Sequence, residues 1–121
     1  MRAKIFEAIS ASTAVKALIG TSPVRFYEFG SAPQDVAYPY AVWQVVGGSP
    51  VMYLDKVPDV DRIAIQVDAY AKSASTARSV ADALRDAIEP KAYVTRWNGE
   101  WIDPETGSNR ASFDVSWWQH R

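Results

Sequence analysis

The sequence contains no cysteine and a single histidine, His120, among its 121 residues. The absence of thiols excludes disulfides, thiolate zinc sites, iron–sulfur clusters and a cysteine nucleophile. One imidazole cannot build a multi-histidine metal site, and a serine triad would depend entirely on this ring, which lies at the second-last position, where chain ends usually fray. The sequence therefore predicts a protein that is not an enzyme.

Two further motifs that would indicate cofactor chemistry are missing. The glycine pair Gly47 and Gly48 is followed by SPVMY and not by the start of a helix, so it does not form a phosphate-binding loop. The acids Asp55, Asp59 and Asp61 lack the spacing of a calcium loop, and basic residues lie among them. We expect no cofactor and no metal, and we interpret the acidic segment as a solvated loop.

The chain also lacks an excess of one charge and a long apolar run. It has 13 Lys and Arg against 14 Asp and Glu, which argues against a dedicated nucleic-acid or membrane-surface binder. No apolar stretch approaches the roughly 20 residues of a membrane span, and Glu7 interrupts the first apolar segment where a signal peptide would be continuous. We expect a soluble intracellular protein that does not contact membranes.

What the chain does have is enough apolar residues, 48%, to build the core of one domain over residues 1–121. Apolar positions at helical spacing in residues 2–19 predict two short helices or one bent helix, since Ser10 or Ser12 is suited to start a second one. A third, longer helix should run from a cap at Ser73 or Ser75 to about Glu89.

The remaining segments read as strands. A short edge strand is expected in VRFYEF, a strand covered on both faces in residues 40–46, a clearly alternating strand from Arg62 to Tyr70, and extended segments in residues 92–103 and 111–118. Between the second and third strands we expect a hairpin loop running from Gly47 to Asp61. These elements predict an α+β fold, in which a mainly antiparallel sheet carries the helices on one face.

Interface candidates come from exposed apolar residues and from the solvent-facing sides of the strands. The five tryptophans should mostly be buried, but Trp117 and Trp118 are adjacent on a strand, so one of them must lie outside the main core. A long loop with apolar residues is more often a contact element than a spacer. The predicted interface residues are Met52, Tyr53, Leu54, Arg62, Gln66, Tyr70 and Trp118.

Four segments together resemble the tail-completion, or tail-terminator, proteins of long-tailed phages and prophages. They are STAVKALIG, YPYAVWQVVGG, RIAIQVDAYAKSASTARSVADALRDAI and PETGSNRASFDVSWWQ, and the likeness extends over nearly the whole chain. The third segment, which joins a strand to a helix through a serine-containing cap, is the most characteristic. These motifs shape the fold and include no catalytic motif.

The resemblance implies a structural virion protein that forms a homo-oligomeric ring, commonly a hexamer, at the head-proximal end of the tail. Such a ring ends polymerisation of the tail-tube protein and docks to the head–tail connector protein, while genome DNA passes through its channel without sequence readout. Two alternatives stay open. One is a non-catalytic α+β module that binds a peptide or small molecule near Trp97 and Trp101, and the other is a different neck or head-completion component.

Overall fold

The computed structural model describes residues 2–52, 57 and 59–121. Its helices are α1 (Ile5–Ser10), α2 (Thr13–Ile19) and α3 (Ala74–Ile88). Its strands, in chain order, are β1 (Phe26–Glu28), β2 (Tyr40–Pro50), β3 (Val60–Ala71), β4 (Ala92–Ile102) and β5 (Asn109–His120).

The strands form one five-stranded sheet in the order β1-β2-β3-β5-β4. Only the short β1 pairs in parallel, with β2, and all other neighbours are antiparallel. The three helices lie together on one face of this sheet, with α3 packed across β3, β5 and β4. The predicted α+β fold, with a mainly antiparallel sheet and helices on one face, is confirmed.

Helix boundaries follow from local chemistry in the sequence. The Ser12 hydroxyl accepts a hydrogen bond from the Val15 N–H at 3.2 Å, which starts α2 and separates it from α1. Gly20 ends α2 at a φ of 92°, and a Cβ at this position would lie 2.6 Å from the Arg25 guanidinium. Ser73 caps α3 in the same way as Ser12, through the Thr76 N–H. The prediction of two short helices and one long helix is therefore confirmed.

The core lies between the helices and one face of the sheet. The predicted apolar stripe of α3 is buried, and it packs on alternate residues of β3 and β5. Those strand residues, all fully or nearly fully buried, are Ile63, Ile65, Val67, Ala69, Ala111, Phe113, Val115 and Trp117. Period-two alternation thus identified the covered face of both strands correctly.

The hairpin between β2 and β3 differs from the prediction. Residues Gly47 to Pro50 are not loop but strand, because they pair with Asp61 to Ala64 after a bulge at Val46. The connecting segment is therefore residues 51–59, shorter than expected. Nor is β2 covered on both faces, since the helices do not reach its second half and Val45 and Val46 are exposed.

The tryptophans differ in part from the prediction. Trp117 is buried and Trp118 exposed, as their adjacency on a strand predicts, but Trp97 and Trp101 are 47% and 38% exposed, although most tryptophans were expected in the core. Their positions explain this, because Trp97 and Trp101 lie in the edge strand β4 and Trp118 lies on the sheet face that no helix covers. Among the described residues, no helix is both long and apolar enough to span a bilayer.

Candidate functional site

The sheet face opposite the helices, called here the open face, carries a row of stacked side chains near one end. Trp101, Arg110, Tyr70 and Tyr40 stand directly opposite one another in β4, β5, β3 and β2. The Arg110 guanidinium carbon lies 5.0 Å from the centre of the Trp101 ring and 5.6 Å from that of Tyr70. The Tyr70 and Tyr40 rings stack at 5.1 Å. Cross-strand pairs of this kind stabilise a sheet and make its surface rigid.

Two carboxylates hold Arg110 in this row. Its Nε donates to Asp68 Oδ1 at 3.1 Å, and its Nη1 lies 3.5 Å from Asp103 Oδ1. Asp68 is almost fully buried and also accepts a hydrogen bond from Gln66. Asp103 in turn accepts hydrogen bonds from the backbone N–H and the hydroxyl of Thr106 in the β4–β5 turn. The cation is thus neutralised within the chain, so the row does not present a basic surface.

Burial changes the acidity of the tyrosines in the row. Desolvation, and next the negative charge of Asp68, raise the pKa of Tyr70 to about 12. Desolvation and the neighbouring Tyr38 raise the pKa of Tyr40 as well. For Arg110 the hydrogen bond and charge of Asp68 outweigh the opposing effect of burial, and its pKa is raised. The row is therefore uncharged at its phenols and cationic at its guanidinium throughout the neutral range.

The predicted interface residues of β3 and β5 lie on the open face. Arg62 and Trp118 are direct partners in the register, with the guanidinium 5.8 Å from the indole centre, and both are exposed. Gln66 and Tyr70 are half-buried and already engaged, one with Asp68 and the other in the stacked row. These positions locate the residues, and their role in an interface stays a prediction.

Of the predicted interface residues in the β2–β3 loop, only one lies within the described residues. Met52 is 75% exposed at the start of the segment that connects β2 to β3. Tyr53 and Leu54 lie outside the described residues, as does Asp55 of the acidic segment. Of the other two acids, Asp61 is buried and accepts a hydrogen bond from Arg121 at 2.9 Å, and the Asp59 carbonyl accepts from the Arg121 N–H. His120 is part of β5 and pairs with Val60.

Exposed large apolar side chains collect at the two opposite edges of the sheet. The β2-edge set comprises Phe6, Phe29, Val45, Val46, Met52 and Val57. The β4-edge set comprises Tyr93, Trp97, Trp101, Ile102 and Trp118. Since β1 and β2 form one edge and β5 and β4 the other, the sets are separated by the width of the sheet. Exposed apolar patches of this kind mark contact surfaces.

Three members of the β2-edge set, Phe6, Phe29 and Val45, line an open groove of about 1200 Å³ between α1 and the sheet. Phe6, Phe29, Trp43 and Val45 supply its apolar lining, and Trp43 is held by stacking on the buried Phe26 at 6.5 Å. Glu7 and Glu28 lie along the same groove, as do Arg2 and Lys4 before α1. The groove is open to solvent and combines an apolar lining with charged side chains.

Trp97 and Trp101 do not form the shared ligand pocket that the binding-module alternative requires. Trp97 pairs with Phe113 on the helix side, where the Arg85 guanidinium lies 5.4 Å from its ring centre. Trp101 pairs with Arg110 on the open face. The two indoles thus lie on opposite faces of β4, and that predicted site is wrong as stated.

Several residues of these surfaces were not foreseen from the sequence. Arg110, Asp68 and Asp103 are separated by up to 42 positions, and only the β3–β5 register brings them together. Phe6 and Val45 lie in segments whose apolar residues were expected to be covered, yet both side chains are exposed. The one usable signal was the alternation of β3, which places Asp68 on the face away from the core.

A helix-covered sheet with exposed apolar sets at both edges is the arrangement of a domain that contacts other proteins. Comparison with known proteins leads to the same class. The family model described as "Tail completion protein gp17" matches residues 3–120, so the chain belongs to the tail completion protein gp17 family. It is a structural protein of the virion and not an enzyme.

Among solved structures, the chain is similar to a protein in the structure titled "Virion of native gene transfer agent (GTA) particle". The TM-score is 0.69 at 15% identity, and the match covers 97% of this chain and 92% of that one. At this identity the likeness establishes a shared fold. No curated protein matches the chain.

Proposed function

We propose that this protein forms a closed homo-oligomeric ring, commonly of six subunits, on the head-proximal end of a tail tube. In this position it ends polymerisation of the tail-tube protein and offers the surface that docks to the head–tail connector protein. Membership of the tail completion family supports a role in finishing the tail. The observation that carries the ring is the separation of the exposed apolar residues into two sets at opposite edges.

A closed ring needs two different patches on each subunit, because a head-to-tail contact joins one surface of a subunit to another surface of the next. The β2-edge set includes three residues of the concave groove beside α1, whereas four of the five β4-edge residues are carried by the edge strand β4. Patches on opposite edges direct neighbours to opposite sides of the subunit. An isologous dimer would instead require one patch that fits a copy of itself.

The charge pattern is consistent with passive passage of genome DNA through the ring. A protein that grips DNA neutralises phosphates with unpaired Lys and Arg. Here the total charge is near zero, and Arg110 on the open face is already neutralised by Asp68 and Asp103. The proposed ring accordingly lets DNA pass without reading its sequence.

The proposal is tested by polymerising purified tail-tube protein with and without this protein and measuring tube lengths by electron microscopy. We expect shorter tubes that carry a ring at one end. Val45→Glu, which places a charge in the groove, should restore long tubes, whereas Asp82→Asn on the exposed side of α3 should behave as the wild type. Unchanged tube lengths with wild-type protein, together with binding to a head-derived component, would favour a different neck component.

A further inference from the structure

Two strand edges of this chain have free backbone groups, and they lie at opposite sides of the sheet. On the outer side of β2, the bonds to β1 end at Trp43, whose carbonyl accepts from the Phe29 N–H at 2.8 Å. From Gln44 to Pro50, β2 has no outer neighbour in the part of the chain that the structure describes. The other free edge is the outer side of β4, the last strand of the sheet.

We propose that the ring contact is made by strand addition, in which β4 of one subunit pairs with the outer edge of β2, between Gln44 and Pro50, in the next subunit. This inference rests on the proposed ring. An unpaired strand edge is a template for pairing with another chain, and such a contact combines backbone hydrogen bonds with side-chain pockets. The sheet would then continue from subunit to subunit around the ring.

The side chains beside the two edges fit this pairing. On the helix side, β4 presents Trp97 and Ile102, which are exposed, and β2 presents Val45 next to Trp43 and Phe6. When sheets join edge to edge with their helix layers on the same side, the exposed indole of one subunit reaches the apolar groove of the next. Burial of these groups stabilises the contact by about 25 cal/mol per Å² of apolar surface removed from water.

The identity of the occupant follows from geometry. The groove needs a strand-like element with projecting apolar residues, and β4 is such an element on every copy of the chain. On its helix side β4 carries Trp97 and Ile102, both exposed, and the groove lies on the helix side of β2. A second copy therefore supplies apolar side chains on the face where the groove is open.

Bulges in β2 and β4 limit the number of residues that can pair between two subunits. β4 shifts register around Thr95 and again around Asn98, whose side chain donates to Asp114 at 2.9 Å. β2 shifts at Val46. Bulges at an edge discourage indiscriminate pairing, so the contact joins only a few residues and depends on side-chain fit for the rest. This restriction explains how a free edge can serve one specific neighbour.

The absence of cysteine makes a crosslinking test direct. Residues opposite each other in adjacent strands have Cβ atoms about 4.5–5.5 Å apart, and disulfides form across Cα separations of about 4.4–6.8 Å. Val45→Cys is combined in turn with Thr95→Cys, Trp97→Cys and Ile102→Cys. Three partners are used because the proposal names the two strands that pair but not the β4 residue that lies opposite Val45. Oxidised samples are compared on non-reducing gels at a concentration where light scattering gives the ring mass.

We expect at least one double variant to give a ladder of covalent oligomers that ends at the ring number. The single-cysteine variants and a control pair, Val45→Cys with Asp82→Cys on the exposed side of α3, should give no ladder. Circular dichroism confirms that each variant is folded. If light scattering gives the ring mass but no cysteine pair gives a ladder, strand addition is overturned and the ring proposal stands. If the protein is a monomer at every concentration and gives no ladder, both proposals are overturned.

Discussion

Removing the Arg110 guanidinium alone should destabilise the fold more than removing it together with the Asp68 charge. Asp68 has a side chain only 4% exposed, and Arg110 Nε is its nearest cation at 3.1 Å. Leaving a buried charge without its partner costs about 3–5 kcal/mol. Because Gln66 Nε2 still donates to Asp68 at 3.1 Å, we expect the lower end, about 3 kcal/mol, for Arg110→Met.

The double variant Asp68→Asn with Arg110→Met removes both charges of this pair and keeps its shape, while Asp103 keeps the hydrogen bonds from Thr106. We expect it to cost only about 1 kcal/mol, since an ion pair replaced by uncharged groups of similar size is often nearly neutral. Unfolding by urea, followed by tryptophan fluorescence at a concentration too low for assembly, gives the free energies. Additive losses from the two single variants would refute the reasoning, because independent sites have no coupling energy.

Three further predictions concern the core, a helix cap and the phenols. Leu84→Ala should lower the free energy of unfolding by about 2–5 kcal/mol, because Leu84 is fully buried in the α3 stripe, and wild-type stability in a urea titration would contradict that packing. Ser73→Ala should cost about 1 kcal/mol through loss of the α3 cap, with Ser79→Ala on the same helix as the control. Stability should fall between pH 10 and 12, because the Tyr70 phenol ionises near 10 in the unfolded chain but keeps its proton in the fold up to about 12. Tyr70→Phe should reduce this fall in an alkaline series of thermal melts, and an unchanged fall would assign it to other groups.

The fold was largely predictable because its signals are local. The serine caps, the α3 stripe and the alternation in β3 depend on spacing within a few residues, and they gave the right elements and the right buried face. Helical spacing also explains the ion pair of Arg85 with Glu89 one turn along α3, at 3.0 Å. Arg78 instead pairs with Glu100 of β4 at 3.1 Å, a contact that depends on the fold and not on spacing along the helix.

The candidate surfaces were less predictable because they depend on register and on which strand is at an edge. Composition does not reveal that Tyr40, Tyr70, Arg110 and Trp101 fall opposite one another, or that β4 rather than β5 is the outermost strand on its side. Bulges change the face that a residue occupies, as at Val46. Hydrophobicity alone assigned the tryptophans to the core, yet indoles at an edge remain exposed.

The most direct test of the ring is the mass of the purified protein in solution, measured by light scattering over a size-exclusion column at several concentrations and again with tail-tube protein added. The account predicts a closed-ring multiple of the 13.4 kDa chain, near six subunits, either alone or on the tube. A mass that stays at one or two subunits under all of these conditions would contradict it.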